Sequence, residues 1–314
     1  MYTVTLNSPD MAAYQMAYTF RGNPLYFFYD CEATGRDAET DRIIEIGAVL
    51  CTYNLSPRTS QALQQDHQFT SLCYCIHPID PEAAKILTIT LKDLKDAPKL
   101  EVVLKQFCDW IKERVTVAER SDLCTYTPVL VAHSGNLLDY PLLFSEIRRT
   151  GSYTLNRKFE DLNLHYTDSH FAIRQLARSN LFFRSFPGLG VKDLHQGLLH
   201  VPYIGHRALP DAQALHKIFT QCQRVQLQTE LFRELRKFTQ SKQGVEFIRE
   251  QVPKFLEAHI KPAKAEELLM RGITYDKVLR EYQLSPHSFE QYLRSTCGIT
   301  RPKQELLDHF KEKW

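Results

Sequence analysis

Two apolar runs of strand length lie close together near the start of the chain, and the first ends in acids. Leu25-Tyr-Phe-Phe-Tyr-Asp30 is apolar and aromatic up to its final carboxylate, as a buried strand requires. The turn-like stretch Thr34-Gly35-Arg36-Asp37 separates it from Arg42-Ile-Ile-Glu-Ile-Gly-Ala-Val-Leu-Cys51, which reads as a second, largely buried strand. Residues 69–76 read as a third, reaching His77-Pro78. Strands so near in sequence pair as an antiparallel meander.

From Pro81 the periodicity changes. Leu100, Val103, Leu104, Phe107, Trp110 and Ile111 fall at three- and four-residue spacing, the stripe of an amphipathic helix. Pro128-Val-Leu-Val-Ala132 is a short buried strand, and Pro141 opens a helix through Arg149. Residues 155–200 read as loops and short helices, broken at Pro187-Gly188-Leu189-Gly190, before a helix from about Pro210 to beyond Phe219. A meander followed by strand–helix alternation predicts an α/β fold with a mixed sheet flanked by helices. Beyond residue 220 strand signals disappear. Leu231–Phe238, Val245–Ala258, Ala263–Met270, Tyr275–Tyr282, Ser288–Leu293 and Pro302–Phe310 all read as helices. The expected organisation is an N-terminal arm (1–24), a catalytic domain (25–225) and a small all-α C-terminal domain (226–314).

Composition excludes some classes of protein. No run approaches the roughly 18 uninterrupted apolar residues of a membrane span, and Met1–Arg21 lacks the basic-then-apolar pattern of a secretory signal. Eight cysteines lie scattered, with Cys73-Tyr74-Cys75 the only close pair, a pattern of free thiols and not of zinc or a disulfide framework. An intracellular chain, cytoplasmic or nuclear and without membrane contact, is the expectation. Residues 219–314 carry 17 Lys and Arg against 13 Asp and Glu, and the remainder carries 22 against 24. Acids concentrated in the first part and a mildly basic second part suit a metal site beside a phosphate-binding surface. Solvated helix faces account for so small an asymmetry equally well.

Three acidic segments carry the chemistry. Asp30 and Glu32, two apart on a strand, point to the same face. Their mutual repulsion is costly to bury unless a cation relieves it. Asp139 follows a buried strand and a small-residue turn, Ala132-His133-Ser134-Gly135-Asn136-Leu137-Leu138, at a place where helix capping is an equally good use for an aspartate. In His206-Arg207-Ala208-Leu209-Pro210-Asp211 the second acid sits where it would complement a helix dipole, and His206 lies on the loop before it. Each segment alone has an ordinary structural explanation.

In order and content, however, the three resemble the Exo I, II and III motifs of the DEDDh 3′→5′ exonuclease family: D-x-E-x-T-G, A-H-N-x-x-x-x-D and H-x-A-x-x-D. They stand here as Asp30-Cys-Glu32-Ala33-Thr34-Gly35, Ala132-His133-Ser134 through Asp139, and His206-Arg-Ala208-Leu-Pro-Asp211. The resemblance covers roughly residues 24–220. Pro81 through Pro98 looks like the family's helix and turn before its amphipathic helix, and Tyr166-Thr-Asp-Ser169 like its internal D-S/T segment. Ser134 departs from the family's asparagine; both residues hydrogen-bond locally, so a tuned turn is expected and not lost activity.

The resemblance implies an RNase H-like, five-stranded mixed sheet and a two-metal hydrolase. Asp30, Glu32, Asp139 and Asp211 would hold two Mg²⁺ or Mn²⁺ ions, a hard-oxygen set suited to them. His206 would be the general base. Ala33 and Thr34 would pack on the terminal nucleotide, and His133 and Ser134 would also bind substrate. Ile86, Leu87 and Ile89 are candidates to stack on its base, core packing being the alternative. The expected substrate is a nucleic-acid 3′ end, single-stranded or frayed DNA before RNA, cut to nucleoside 5′-monophosphates. An exoribonuclease of the same fold and an inactive binding module are the competing readings. Ala263–Leu279 and Thr300–Leu307 are more loosely similar to the helical tail after the exonuclease-like region in the promyelocytic leukaemia protein family, which would also favour DNA.

Overall fold

The computed structural model describes residues 22–53, 55–64, 67–180, 183, 186–203, 205–221 and 225–313. Residues 1–21 of the expected N-terminal arm lie outside the described residues. Strands β1 (Asn23–Ala33), β2 (Ile43–Leu50), β3 (Gln68–Leu72), β4 (Tyr126–Ala132) and β5 (His165–Asp168) form one sheet in the order β3-β2-β1-β4-β5. The β1–β2 and β2–β3 pairs are antiparallel, the β1–β4 and β4–β5 pairs parallel. This is the mixed sheet expected from the meander and the later strand, and the RNase H-like core that the resemblance implies.

Helices α1 (Pro57–Ala62), α2 (Pro81–Ala84), α3 (Leu91–Leu94), α4 (Leu100–Asp122) and α5 (Asp139–Arg149) lie between β2 and β5. So does α6 (Tyr153–Asp161); α7 (Ser169–Ser179), α8 (Val191–Leu199), α9 (Ala208–Thr220) and α10 (Val225–Lys237) follow the sheet. Residues 155–200 thus hold a strand that the loop-and-helix reading passed over. His165-Tyr-Thr-Asp168 is too short and polar to declare itself, yet its last three residues are buried.

Alternation along β1 assigns its two faces. Phe27 and Tyr29 pack on Trp110 and Phe107 of α4. Phe28 packs on His216 and Phe219 of α9, and Tyr26 on Phe232 of α10. Asp30 and Glu32 continue the second series, so their carboxylates emerge on the α9 side of the sheet.

α10 sinks Leu227, Leu231, Phe232 and Leu235 into the core on that side. The chain after it returns to the sheet, where Gln240 pairs with Tyr166 of β5 in both directions. The chain separates into two compact units at Lys242/Gln243; the expected boundary at 225/226 falls at the start of α10. The second unit comprises α11 (Lys242–Glu257), α12 (Pro262–Met270), α13 (Tyr275–Leu284), α14 (Phe289–Ser295) and α15 (Gln304–Glu312). It buries its own apolar residues, among them Val245, Ile248, Phe255, Leu268, Val278, Phe289 and Phe310. Among the described residues no helix is long and apolar enough to cross a membrane, and the cysteines are free.

Candidate active site

Three of the four expected acids converge. Asp30, Glu32 and Asp211 each offer a carboxylate oxygen within 4.8 Å of the others. Asp30 and Glu32 come from the end of β1, just before a bulge between Glu32 and Ala33, and Asp211 comes from the first turn of α9. Crowding like charges away from water disfavours the ionised forms. Burial first, then Asp139, Asp211, Glu32 and Glu45, push Asp30 well above the usual carboxylate range. Burial and the neighbouring Asp211, Glu45 and Asp139 raise Glu32 to about 8, with the Arg207 guanidinium opposing them. Asp211 is likewise raised by burial, against hydrogen bonds that favour its charge. Tyr203 Oη and the His206 amide donate these bonds, the latter at 2.9 Å to Oδ2.

Asp139 is not a helix cap. It is the first residue of α5, behind Leu138 at the N-cap. Its Oδ1 instead accepts from the Cys31 amide at 3.3 Å and from Cys31 Sγ at 3.6 Å. The last paired residues of β1 and β4 are Phe28 and Val131, so Cys31 lies beyond the parallel ladder and Asp139 supplies its acceptor. Asp139 therefore sits beside the β1 acids without joining the three-oxygen cluster, and burial raises it to about 7. His206 is exposed, on the loop before α9, in a left-handed conformation with φ of 71°.

The turn after β1 is tightly built. Thr34 is buried; its hydroxyl donates to Asp41 at 2.9 Å and accepts from the Arg42 amide at 3.0 Å. A Cβ on Gly35 would fall 2.5 Å from Asp41 Oδ2, so only glycine leaves room for that carboxylate. The Thr34 carbonyl accepts from Asp80 at 2.7 Å, which docks the α2 segment on this turn. Ala33 is half-buried. Ile86 beyond α2 is exposed, Leu87 is half-buried, and Ile89 lies in a cluster with Ile44, Cys75 and Leu94.

His133 and Ser134 lie on the turn between β4 and α5, packed against the start of α7. His133 Nδ1 lies 3.0 Å from Ser169 Oγ, its ring centroid 5.1 Å from that of His170. Burial lowers the His133 pKa to about 3, so the ring is neutral. Ser134 has φ of 65° and gives its amide to Asp168 at 3.0 Å. Asp168, buried at the end of β5, also accepts from the amides of Asn136, His170 and Phe171. Sequence reasoning found Asp168 as part of a motif but not this role. It missed Glu45, Tyr203 and Gln240, whose Nε2 donates to Asn136 Oδ1 at 2.6 Å. Only Glu45 carried a sequence signal, as an acid inside a buried strand.

Hard oxygen donors, mutual repulsion and raised proton affinities fit a divalent cation. Fold and site define the class: a cation-dependent enzyme acting on phosphodiesters, built on an RNase H-like sheet. The Exonuclease family model RNase_T matches residues 27–127. DNA polymerase III subunit epsilon of Treponema pallidum (strain Nichols) is 27% identical over 212 residues, 66% of this chain and 80% of that protein. DNA polymerase III PolC-type of Thermotoga maritima is 26% identical over 198 residues, 63% of this chain but only 12% of its own length. A solved structure of 3′-end-specific recognition of histone mRNA stem-loop by a 3′-exonuclease superposes with a TM-score of 0.43 at 15% identity, covering 67% of each chain. The chain is thus similar, over its first part, to RNase T-type exonucleases and, over about two thirds of its length, to DNA polymerase III proteins. Its activity is metal-dependent 3′→5′ exonucleolysis of nucleic acid.

Proposed function

We propose that Asp30, Glu32, Asp139 and Asp211 together hold two Mg²⁺ or Mn²⁺ ions, with His206 as general base, and that DNA is the substrate. The convergence of three carboxylate oxygens within 4.8 Å, all with raised proton affinity, carries the reading. DNA is favoured because the two relatives above are DNA polymerase III proteins. Such cations stabilise charge on the entering and leaving oxygens of an in-line displacement.

The chain supplies the rest. Water attacks the terminal phosphorus while His206, exposed and next to the acids, takes its proton. The bond from phosphorus to the 3′ oxygen of the preceding nucleotide breaks, that oxygen takes up a proton, and a nucleoside 5′-monophosphate leaves. Ile86 and Leu87 would contact the terminal base, with Ile89 supporting them from the cluster beneath. Ala33 and Thr34 would present backbone to the terminal nucleotide, and His133 and Ser134 would fix the turn that leads to Asp139.

Matched 5′-labelled DNA and RNA oligonucleotides test this. With Mg²⁺, the DNA should shorten stepwise from its 3′ end and release 5′-monophosphates, faster than the RNA. Faster digestion of RNA would overturn the DNA assignment. No shortening of either, with Mg²⁺ or Mn²⁺, would overturn the mechanism.

A further inference from the structure

Glu45 stands directly across the β1–β2 ladder from Glu32, with its side chain 2% exposed. A carboxylate buried there without a partner would be costly. Arg207 meets it with the edge of its guanidinium: Nε lies 3.1 and 3.0 Å from the two oxygens, and Nη2 lies 2.6 Å from Oε1. Glu45 Oε2 accepts a further bond from the Ala208 amide at 2.9 Å.

Arg207 is the N-cap residue of α9 and makes no capping bond with its own side chain. The acceptor for the first helical amide therefore comes from a different element, β2. Gly47 lies two residues further along that strand, where a Cβ would fall 2.2 Å from the Ala208 carbonyl carbon and the Leu209 nitrogen. The start of α9 is thus seated on β2 by an ion pair, an amide bond and a close backbone approach. His206 immediately precedes this seat and Asp211 follows it within a turn.

We propose that Glu45 and Arg207 are positioning residues, a clamp that fixes the start of α9 so that Asp211 and His206 meet the acids of β1. The inference rests on the roles given to Asp211 and His206 above. An ion pair serving stability alone would sit anywhere in the sheet; this one joins the strand beside Glu32 to the residue after His206.

Arg207→Lys tests the clamp, since lysine keeps the charge but cannot form the planar fork. Three quantities would be measured: melting in chelator, Mn²⁺ affinity by calorimetry, and kcat and KM on a DNA oligonucleotide. The folded variant should bind Mn²⁺ about tenfold more weakly and lose about tenfold or more in kcat, as removal of a ligand-orienting partner does, with KM little changed. A lowered melting temperature with Mn²⁺ affinity and kcat within about twofold of wild type would overturn the clamp. If Arg207→Lys does not melt cooperatively, Glu45→Gln is judged by the same criteria. It keeps an oxygen for the Ala208 amide and leaves Arg207 free to reach water. Failure of the proposed function would look different, because the unaltered protein would then release no nucleotide while calorimetry still reads the clamp.

Discussion

His206 is tied to Asp211 through its backbone amide and not through its ring. His206→Ala keeps that bond. The variant should therefore bind Mn²⁺ nearly as the parent does while kcat falls about 10²–10⁴-fold, the usual cost of removing a general base; calorimetry beside single-turnover kinetics checks both. The acids give a second prediction. Glu32 at about 8 and Asp139 at about 7 hold protons more tightly folded than unfolded, where carboxylates titrate near 4. The cation-free fold then binds more protons than the unfolded chain between those values, so its stability falls as pH rises through that window. Melting in chelator should drop from about pH 5 to pH 8, and Mg²⁺ should restore more at pH 8, where fewer protons compete for the carboxylates. A flat profile in chelator would remove the case for acids crowded in the absence of cation.

At the scale of elements, the site depends on joints between strands and loops. Asp168 accepts four amides, from the β4 turn and from the start of α7. Asp168→Ala would leave them unmet in a buried place, and chemical denaturation should show a loss of about 3 kcal/mol or more. Gly47→Ala would drive a methyl into the backbone of α9, costing about 1–3 kcal/mol and displacing Asp211; melting and Mn²⁺ affinity would fall together. These joints mark the limit of what the sequence discloses. β1, β2 and α4 were legible because burial imposes a period on their residues, and the motif residues because their chemistry restricts identity. β5 was not, because it is short and polar and its cover comes from other parts of the chain: Tyr140 and Phe144 of α5, Leu235 of α10 and Gln240. Nor was the partnership of Glu45 with Arg207, since an acid in a buried strand announces that it needs a partner but not which one.

For the molecule as a whole, the question is where the catalytic unit ends. A chain ending at residue 225 retains all five motif residues but loses the side chains that α10 contributes to the core. It should aggregate or lack a cooperative melting transition, whereas a chain ending at residue 242 should melt cooperatively and release nucleotides from DNA. Circular dichroism and the labelled-oligonucleotide assay on both fragments decide it. An active 225-residue fragment would show α10 to be dispensable. The pairing of Gln240 with Tyr166 has a bearing on synthesis. As the chain leaves the ribosome, Asp211 emerges well before the segment that closes the core and pins the turn at Asn136. For that interval the nascent chain carries every motif residue but lacks the bonds that Gln240 gives to Tyr166 and Asn136.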